Sequence, residues 1–280
     1  MFRCTVRAIV VGLCFLAPSI AYSQTLPPDI AASKTVHIAV NVGYPPLELR
    51  DPQTNEVVGF DIDLATAMAK ILGVKLVWQD GAFEQMSPSL QSGRADMIIS
   101  GFYDIPKRRS AFDFIDYLRA GAQFYTLQKY TDLQTLTDLC GKTITTSRGT
   151  SYPDTVKAWS DKNCVGAGKQ PITVIVDTDL GQQLSNLKQE RAVAAVQGLE
   201  AVPTITQMEP GTYRPLGEPF SSTLMGMAFN KANPPLLRDA FMSALQSVIV
   251  DGQYAALIKK WKLDLSAYPT PTINAGPAPQ

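Results

Sequence analysis

Histidine is nearly absent from this sequence of 280 residues, in which His37 is the single example. Acid–base chemistry that relies on an oriented histidine is therefore disfavoured, since His37 lies in an apolar run typical of a structural position. Cysteine is scarce too, with four residues, so a tetrahedral zinc site would need carboxylate ligands for which the sequence shows no pattern. We predict a protein without a metal or other cofactor.

An excess of either charge is also missing, because 25 lysine and arginine residues balance 25 aspartate and glutamate residues. The chain thus has no electrostatic reason to bind nucleic acid or an anionic membrane. Internal repeats, coiled-coil heptads and low-complexity stretches are lacking as well. What remains is an ordinary globular composition, 45% hydrophobic, over a length that suits one large domain or two linked lobes.

The one marked apolar run lies near the N-terminus. It covers residues 8–17 and follows Arg3 and Arg7, and the small-residue motif Ala21-Tyr22-Ser23 comes after it. This order is typical of a secretory signal peptide, and the run is too short to span a bilayer. We predict a signal peptide at residues 1–23 and a soluble, periplasmic mature protein.

Removal of that segment leaves two cysteines, Cys140 and Cys164. Two cysteines in an exported protein predict one disulfide bond between them. The alternative, a metal or redox role for this pair, is the weaker hypothesis because the sequence supplies no further ligands.

Strand and helix patterns alternate along the rest of the chain. Residues 36–40 form an apolar strand pattern, and Gly59 precedes an amphipathic helix that ends at Gly73. A second series of strands and helices begins near residue 143. An extended segment at 121–128 separates the first series from the second, and another at 223–229 separates the second series from two final helices. This rhythm predicts an α/β fold with largely parallel sheets.

Several short sequence blocks occur in a characteristic order. From the N-terminus they are Tyr44-Pro45-Pro46-Leu47-Glu48, Val58-Gly59-Phe60-Asp61-Ile62-Asp63-Leu64-Ala65, Leu90-Gln91-Ser92-Gly93-Arg94-Ala95-Asp96, Ile99-Ser100-Gly101, Pro106-Lys107-Arg108, Phe114-Ile115-Asp116-Tyr117, Gly141-Lys142-Thr143 and Arg148-Gly149-Thr150. Together they resemble family 3 of the bacterial extracellular solute-binding proteins, the receptors of polar amino acid and opine ABC transporters. The resemblance spans nearly the whole mature chain.

The resemblance implies a two-lobed periplasmic-binding-protein fold of type II, an α/β architecture in which two mixed sheets are joined by a two-strand hinge. It also implies a monomer that docks on an ABC permease in the inner membrane. The expected boundaries are lobe 1 at 30–122 plus 225–264, lobe 2 at 129–218, hinge segments at 123–128 and 219–224, and a flexible tail at 265–280.

The family's ligand-binding positions fall on polar and aromatic residues of this chain. By resemblance, Arg108 pairs with a ligand carboxylate, although a surface position among its basic neighbours is the alternative. Tyr44 and Phe83 sandwich the ligand, with a core position as the alternative for Phe83. Asn41 contacts the ligand side chain. Further contacts from backbone and hydroxyl groups are expected at Ser100, Gly101, Phe102, Thr150 and Ser151, although the last two also suit a glycine turn with a helix cap.

Two positions depart from the family pattern. Gly198 stands where the family has an aspartate that binds the ligand ammonium, and Glu200 is the nearest substitute. Tyr103 stands where a small serine or threonine is usual. A buried ammonium without a counter-charge is costly, so we predict a small organic anion or a modified amino acid as the ligand.

Two other functions stay open at this point. The chain could be a periplasmic enzyme on the same scaffold, similar to cyclohexadienyl dehydratase, with Glu200 as its base. It could also be an accessory module that binds a protein instead of a solute. We favour the receptor and predict no enzymatic activity.

Overall fold

The computed structural model describes residues 25–278. The predicted signal peptide at 1–23 and the last two residues of the predicted tail lie outside the described residues. Within 25–278, no helix combines the length and apolar character that a bilayer crossing requires.

The order of elements follows the alternation seen in the sequence. The strands are β1 (Thr35–Val40), β2 (Leu49–Arg50), β3 (Val57–Val58), β4 (Lys75–Asp80), β5 (Met97–Ile98), β6 (Tyr103–Asp104), β7 (Phe112–Ala120), β8 (Ala122–Leu127), β9 (Thr143–Ser147), β10 (Thr173–Asp177), β11 (Ala194–Gly198), β12 (Tyr213–Leu216), β13 (Thr223–Asn230) and β14 (Ala267–Ile273). The α-helices are α1 (Pro28–Ser33), α2 (Phe60–Leu72), α3 (Phe83–Gln91), α4 (Pro106–Arg109), α5 (Tyr152–Asn163), α6 (Leu180–Lys188), α7 (Val202–Met208), α8 (Leu236–Val250) and α9 (Gln253–Lys260).

The first sheet has seven strands and draws on both ends of the described chain. Its order is β14-β7-β13-β5-β1-β4, and β6 pairs with β13 beside this path. The pairs β1–β4 and β1–β5 are parallel, whereas β13 and β14 pair antiparallel with their neighbours. Helices α2 and α8 bury their apolar faces against this sheet and against each other.

The second sheet has five strands in the order β10-β9-β11-β8-β12. The strands β9, β10 and β11 are parallel, and β8 runs antiparallel to both of its neighbours. Both sheets are therefore mixed, and each is covered by helices. The predicted two-lobed α/β fold is confirmed.

Helix α2 illustrates how glycines set the ends of an element. At Gly59 the backbone φ is 146°, and an added Cβ would overlap the carbonyl of Leu47, so a side chain cannot be accommodated. At the other end, Gly73 adopts the left-handed conformation and donates its N–H to the carbonyl of Ala69. The segment Pro46-Leu47 lies close to the start of α2, where the N–H groups of Phe60 and Asp61 donate to the carbonyls of Pro46 and Leu47.

The chain passes from the first sheet to the second and back. Gly121 alone separates β7 from β8, so the first passage occurs there. The sequence placed this passage at 123–128, but most of that segment lies within β8, where it pairs with β11 and β12 and is largely buried. The second passage lies between β12 and β13, at residues 217–222. It contains most of the predicted segment 219–224, whose last two residues belong to β13. Bending at these passages stays a prediction.

The C-terminal segment corrects a second prediction. The sequence suggested a flexible tail at 265–280, whereas β14 pairs antiparallel with β7 at the edge of the first sheet. Pro269 and Pro271, which suggested a loose chain, fall within an irregularity between the paired residues Ala267 and Thr272. Prolines are tolerated at such a position because an edge strand needs fewer backbone N–H groups to donate hydrogen bonds within the sheet.

The predicted disulfide is present between Cys140 and Cys164, whose Cα atoms lie 5.5 Å apart. Cys140 follows a short 3₁₀ turn, and Cys164 lies at the end of α5. The bond therefore ties the far end of α5 to the segment that leads into β9.

Candidate functional site

A cavity lies between the two sheets. Eight of the residues predicted to bind the ligand contribute to its wall. Six come from the first half of the fold, namely Asn41, Tyr44, Phe83, Gly101, Tyr103 and Arg108, and the other two, Thr150 and Ser151, come from the opposite side. The structure thus brings together residues that are more than one hundred positions apart in sequence.

Arg108 and Arg148 are the cations of this wall, and Arg108 is the more buried of the two. Its guanidinium lies over the ring of Phe102, 3.7 Å from the ring centroid, and Nη1 donates to the carbonyl of Tyr103 at 3.0 Å. Nη2 makes a longer contact of 3.4 Å to the carbonyl of Gly149 across the cavity. Among residues 25–278, no carboxylate lies within ion-pair distance of Arg108. Burial lowers its pKa to about 10, so the side chain remains protonated at neutral pH.

A buried cluster of three tyrosines and one glutamate joins the two sides of the cavity. Tyr44 and Tyr103 belong to one side, Tyr152 and Glu200 to the other. The hydroxyl of Tyr44 donates to Glu200 Oε1 at 2.6 Å, and that of Tyr103 donates to the same oxygen at 3.2 Å. The Tyr152 hydroxyl lies 3.1 Å from both of the other hydroxyls. These side-chain hydrogen bonds connect the two halves of the fold.

The carboxyl of Glu200 is nearly enclosed by this cluster. The residue is 3% exposed, and its Oε2 has no hydrogen-bond partner among the described residues. Burial raises its pKa to about 7, although the hydrogen bonds from Tyr44 and Tyr103 work in the opposite direction. Burial also raises the pKa of both tyrosines, and the charge of Glu200 raises it further.

The glycine at position 198 is a steric requirement of this arrangement. A Cβ there would overlap Glu200 Oε1 and the hydroxyl of Tyr44. The carboxyl of Glu200 therefore fills the space beside residue 198. Neither Gly198 nor Glu200 is part of the cavity wall, and ligand contact by these two residues stays a prediction.

Two further predicted residues lie behind the wall instead of in it. Ser100 is 1% exposed; its hydroxyl donates to Glu48 and accepts the backbone N–H of Asn41 at 2.9 Å. Phe102 is 1% exposed and supports the guanidinium of Arg108 from below. Both residues hold the wall in place.

A pair of buried carboxyls lies beneath Ser100 and Gly101. Asp61 accepts the hydroxyl of Tyr117 at 2.8 Å and the N–H of Gly101 at 3.3 Å. Burial raises the pKa of Asp61 to about 7, and burial together with the charge of Asp61 raises that of Glu48 well above its usual value. The side chain of Asp61 thus supports a loop of the cavity.

Several wall residues were not predicted from the sequence. They lie on the second side of the cavity and include Tyr152, Ser147, Arg148, Thr178, Asp179 and Gln197. Asp179 begins α6, where its Oδ1 accepts the N–H of Gln182 at 2.9 Å. The sequence could have predicted Ser147 and Thr178 from their positions at strand ends, since α/β sheets expose such positions to ligands. Within 25–278, no group of three or more His, Cys, Asp or Glu side chains is placed to hold a metal ion.

Sequence comparison identifies the relationship. The pattern of the bacterial extracellular solute-binding proteins, family 3, matches residues 36–264. This chain belongs to that family. The binding protein is 30% identical over 259 residues to the arginine-binding protein ArgT of Corynebacterium glutamicum, a match that covers 91% of this chain and 83% of the relative. It is 28% identical over 231 residues to a probable histidine-binding protein of Campylobacter jejuni, covering 82% and 86% of the two chains.

Among solved structures, the binding protein is similar to an ancestral arginine-binding protein bound to glutamine. The two share 30% sequence identity with a TM-score of 0.73, over 81% of this chain and 97% of the other. The family resemblance carried by the short sequence blocks is thus confirmed, and the cavity described above lies in a protein of the solute-binding class.

Proposed function

We propose that this binding protein is the periplasmic receptor of an ABC importer and that its two lobes close around a small, carboxylate-bearing ligand. The observation that carries the proposal is the half-buried cation in the cavity wall, Arg108, which has no carboxylate partner in the described part of the chain. A half-buried guanidinium is stabilised by a bidentate anion, and a ligand that touches both sides favours the closed state. The relatives named for arginine and histidine binding support an amino-acid-like ligand.

We further propose that the preferred ligand lacks a free α-amino group or carries it in modified form. Glu200 is held by two tyrosine hydroxyls and does not reach the cavity wall, so it offers no counter-charge to an ammonium there. Of the described residues in the wall, Asp179 is the one carboxylate, and it lies on the second side. A ligand with a carboxylate for Arg108 and a donor group for Asp179 fits this distribution of charge.

A thermal-shift comparison of matched ligand pairs tests both statements. L-Arginine is compared with 5-guanidinopentanoate, and L-glutamate with glutarate, because the members of each pair differ only in the α-amino group. We expect the amine-free member to raise the unfolding temperature more, since a ligand that binds only the folded state stabilises it. Equal or larger shifts with the free amino acids would contradict the proposed ligand class.

The role of Arg108 is tested by Arg108→Leu, with Lys107→Leu as the matched control on the same helical turn. Lys107 is largely exposed and makes only a 3.9 Å ion pair with Asp154. We expect Arg108→Leu to weaken binding of the best ligand of the panel about a hundredfold, because an anion loses its charged partner in a desolvated site. Titration calorimetry should show unchanged affinity for the control, and unchanged affinity for Arg108→Leu would refute the receptor as proposed.

A dehydratase-like activity is the second candidate, favoured by the raised pKa of Glu200, which would suit a proton donor near neutral pH. Against it, the carboxyl is shielded from the cavity by the tyrosine cluster. We propose that the protein does not catalyse this reaction. Incubation with prephenate or arogenate should yield no product, and turnover that is lost in Glu200→Gln would reverse this preference.

A further inference from the structure

We propose that the C-terminal segment 267–276, here named the strap, positions the helical turn that carries Arg108. The strap lies beyond residues 36–264, the part of the chain that matches the family. It begins as β14 on the edge of the first sheet and continues past the strand toward α4. The inference draws on the proposed function only in taking Arg108 as the ligand's partner.

The middle of the strap is anchored on Asp116, a buried residue of β7. One oxygen of this carboxyl, Oδ2, accepts the hydroxyl of Thr272 and the backbone N–H of Ala275, both at 2.9 Å. Asn274 adds a second anchor, since its Oδ1 accepts the N–H of Phe114 at 2.8 Å. These bonds fix the direction in which the chain leaves the sheet.

The end of the strap reaches the turn itself. The N–H of Gly276 donates to Asp104 Oδ2 at 2.8 Å, and the other oxygen of Asp104 pairs with Arg109 Nε at 2.5 Å. The Asp104 side chain is fully buried, so both of its oxygens depend on these partners. The carboxyl therefore links the strap directly to α4.

Arg108 and Arg109 are neighbours on that turn and point to opposite sides. Arg108 faces the cavity, where it lies over Phe102, whereas Arg109 faces Asp104 and the strap. The turn has only four residues, too short to be rigid by itself. Because Asp104 and the strap hold Arg109, the turn is fixed, and so is the direction of the Arg108 guanidinium.

Gly276 is the position where this contact is most demanding. An added Cβ would overlap the carbonyl of Asp104 and lie within 2.6 Å of Arg109 Nη2. Any side chain at position 276 must therefore push the strap away from the turn. Thr270, in the same strand, is exposed and makes no side-chain hydrogen bond within the described part of the chain, which makes it a suitable control position.

Hydrogen–deuterium exchange of the full-length protein without ligand tests the inference. The amides of Arg108 and Arg109 both donate to the carbonyl of Ile105, so their exchange reports on the integrity of the turn. In Gly276→Val we expect these two amides to exchange about tenfold faster, as the loss of one or two hydrogen bonds implies. Amides of β9, in the other sheet, should be unchanged, and Thr270→Ala should resemble the wild type.

Two results would overturn the inference. Unchanged exchange in the turn would mean that its position is independent of the strap. An equal rise in both sheets would mean that the strap contributes to overall stability alone. If Gly276→Val does not fold, Gly276→Ala gives the same comparison with a smaller side chain. Because no ligand is present, a failure here is distinct from a failure of the proposed receptor function.

Discussion

Among single residues, Glu200 combines a carboxyl, deep burial and bonds to tyrosines on the opposite side of the cavity. Its pKa rises from the usual 4.5 to about 7, chiefly through burial. The folded protein therefore holds this proton more tightly than the unfolded chain does. The corresponding stability is fully present below about pH 4.5 and is lost as the pH rises to about 7.

Glu200→Gln should remove this part of the pH dependence. Between pH 4.5 and pH 8, we expect the free energy of unfolding of the wild type to fall by about 3 kcal/mol more than that of the variant. Urea denaturation at several pH values measures the difference, and Glu56→Gln, at an exposed position, serves as the control. Parallel pH curves for wild type and Glu200→Gln would contradict the burial of an ionisable group at this position.

The sequence predicted the cavity residues on the first side better than those on the second. Arg108 and Tyr44 lie in blocks shared with the family, Phe83 matches a family position outside these blocks, and all three reach the wall. Tyr152 and Asp179 lie at helix starts, where aspartate is common for local reasons. Their participation depends on how the two sheets face each other, and hydrophobic periodicity does not encode that arrangement.

Among the elements, α5 depends on a covalent link at its end. The bond between Cys140 and Cys164 closes a loop with a sequence separation of 24. In the chain-entropy model, a disulfide that closes a loop of this size stabilises the folded state by about 3.5 kcal/mol, because the bond restricts the unfolded chain.

Replacing both cysteines by serine should lower the free energy of unfolding by about that amount. Urea denaturation of the double variant measures this, and the wild type treated with a reducing agent should give a similar value. The amides of the first sheet should keep their exchange rates under native conditions, since the link lies wholly within the second half of the fold. A double variant as stable as the oxidised wild type would exclude this contribution.

The helices and strands themselves were largely predictable, because α2, β9 and α8 each show a clear period and clear boundaries. The strand β14 was missed for a physical reason. Its two prolines argue against a strand in isolation, and the pairing becomes favourable only because β7 offers an open edge and Asp116 offers an acceptor. A non-local partner of this kind leaves no trace in the local pattern.

For the molecule as a whole, the two passages between the sheets run side by side. Gly121 lies against the backbone of Ser221, and an added Cβ would overlap the Ser221 carbonyl. The N–H of Ala122 also donates to the Ser221 hydroxyl at 2.8 Å. The contact brings the two passages within van der Waals distance of each other. The lobes are therefore joined by two adjacent segments, and any motion of one lobe relative to the other has to bend both of them.

Gly121→Val should separate these segments and lower the free energy of unfolding by about 1–3 kcal/mol, the usual cost of overpacking. Gly81→Val is the matched control, because a Cβ at Gly81 meets no atom within 4 Å. Urea denaturation compares the two variants. Equal stability of both would show that the passages tolerate a wider separation than the structure displays.

The order of the chain through the two sheets determines which half of the fold can be completed first. Every strand of the five-stranded sheet lies between Ala122 and Leu216, whereas the seven-stranded sheet needs β13 and β14 from the far end of the chain. The smaller half can therefore reach its native state before residues 217–280 have folded. The larger half is complete only when β13 and β14 pair with the two edges of β7, which stay unprotected until then.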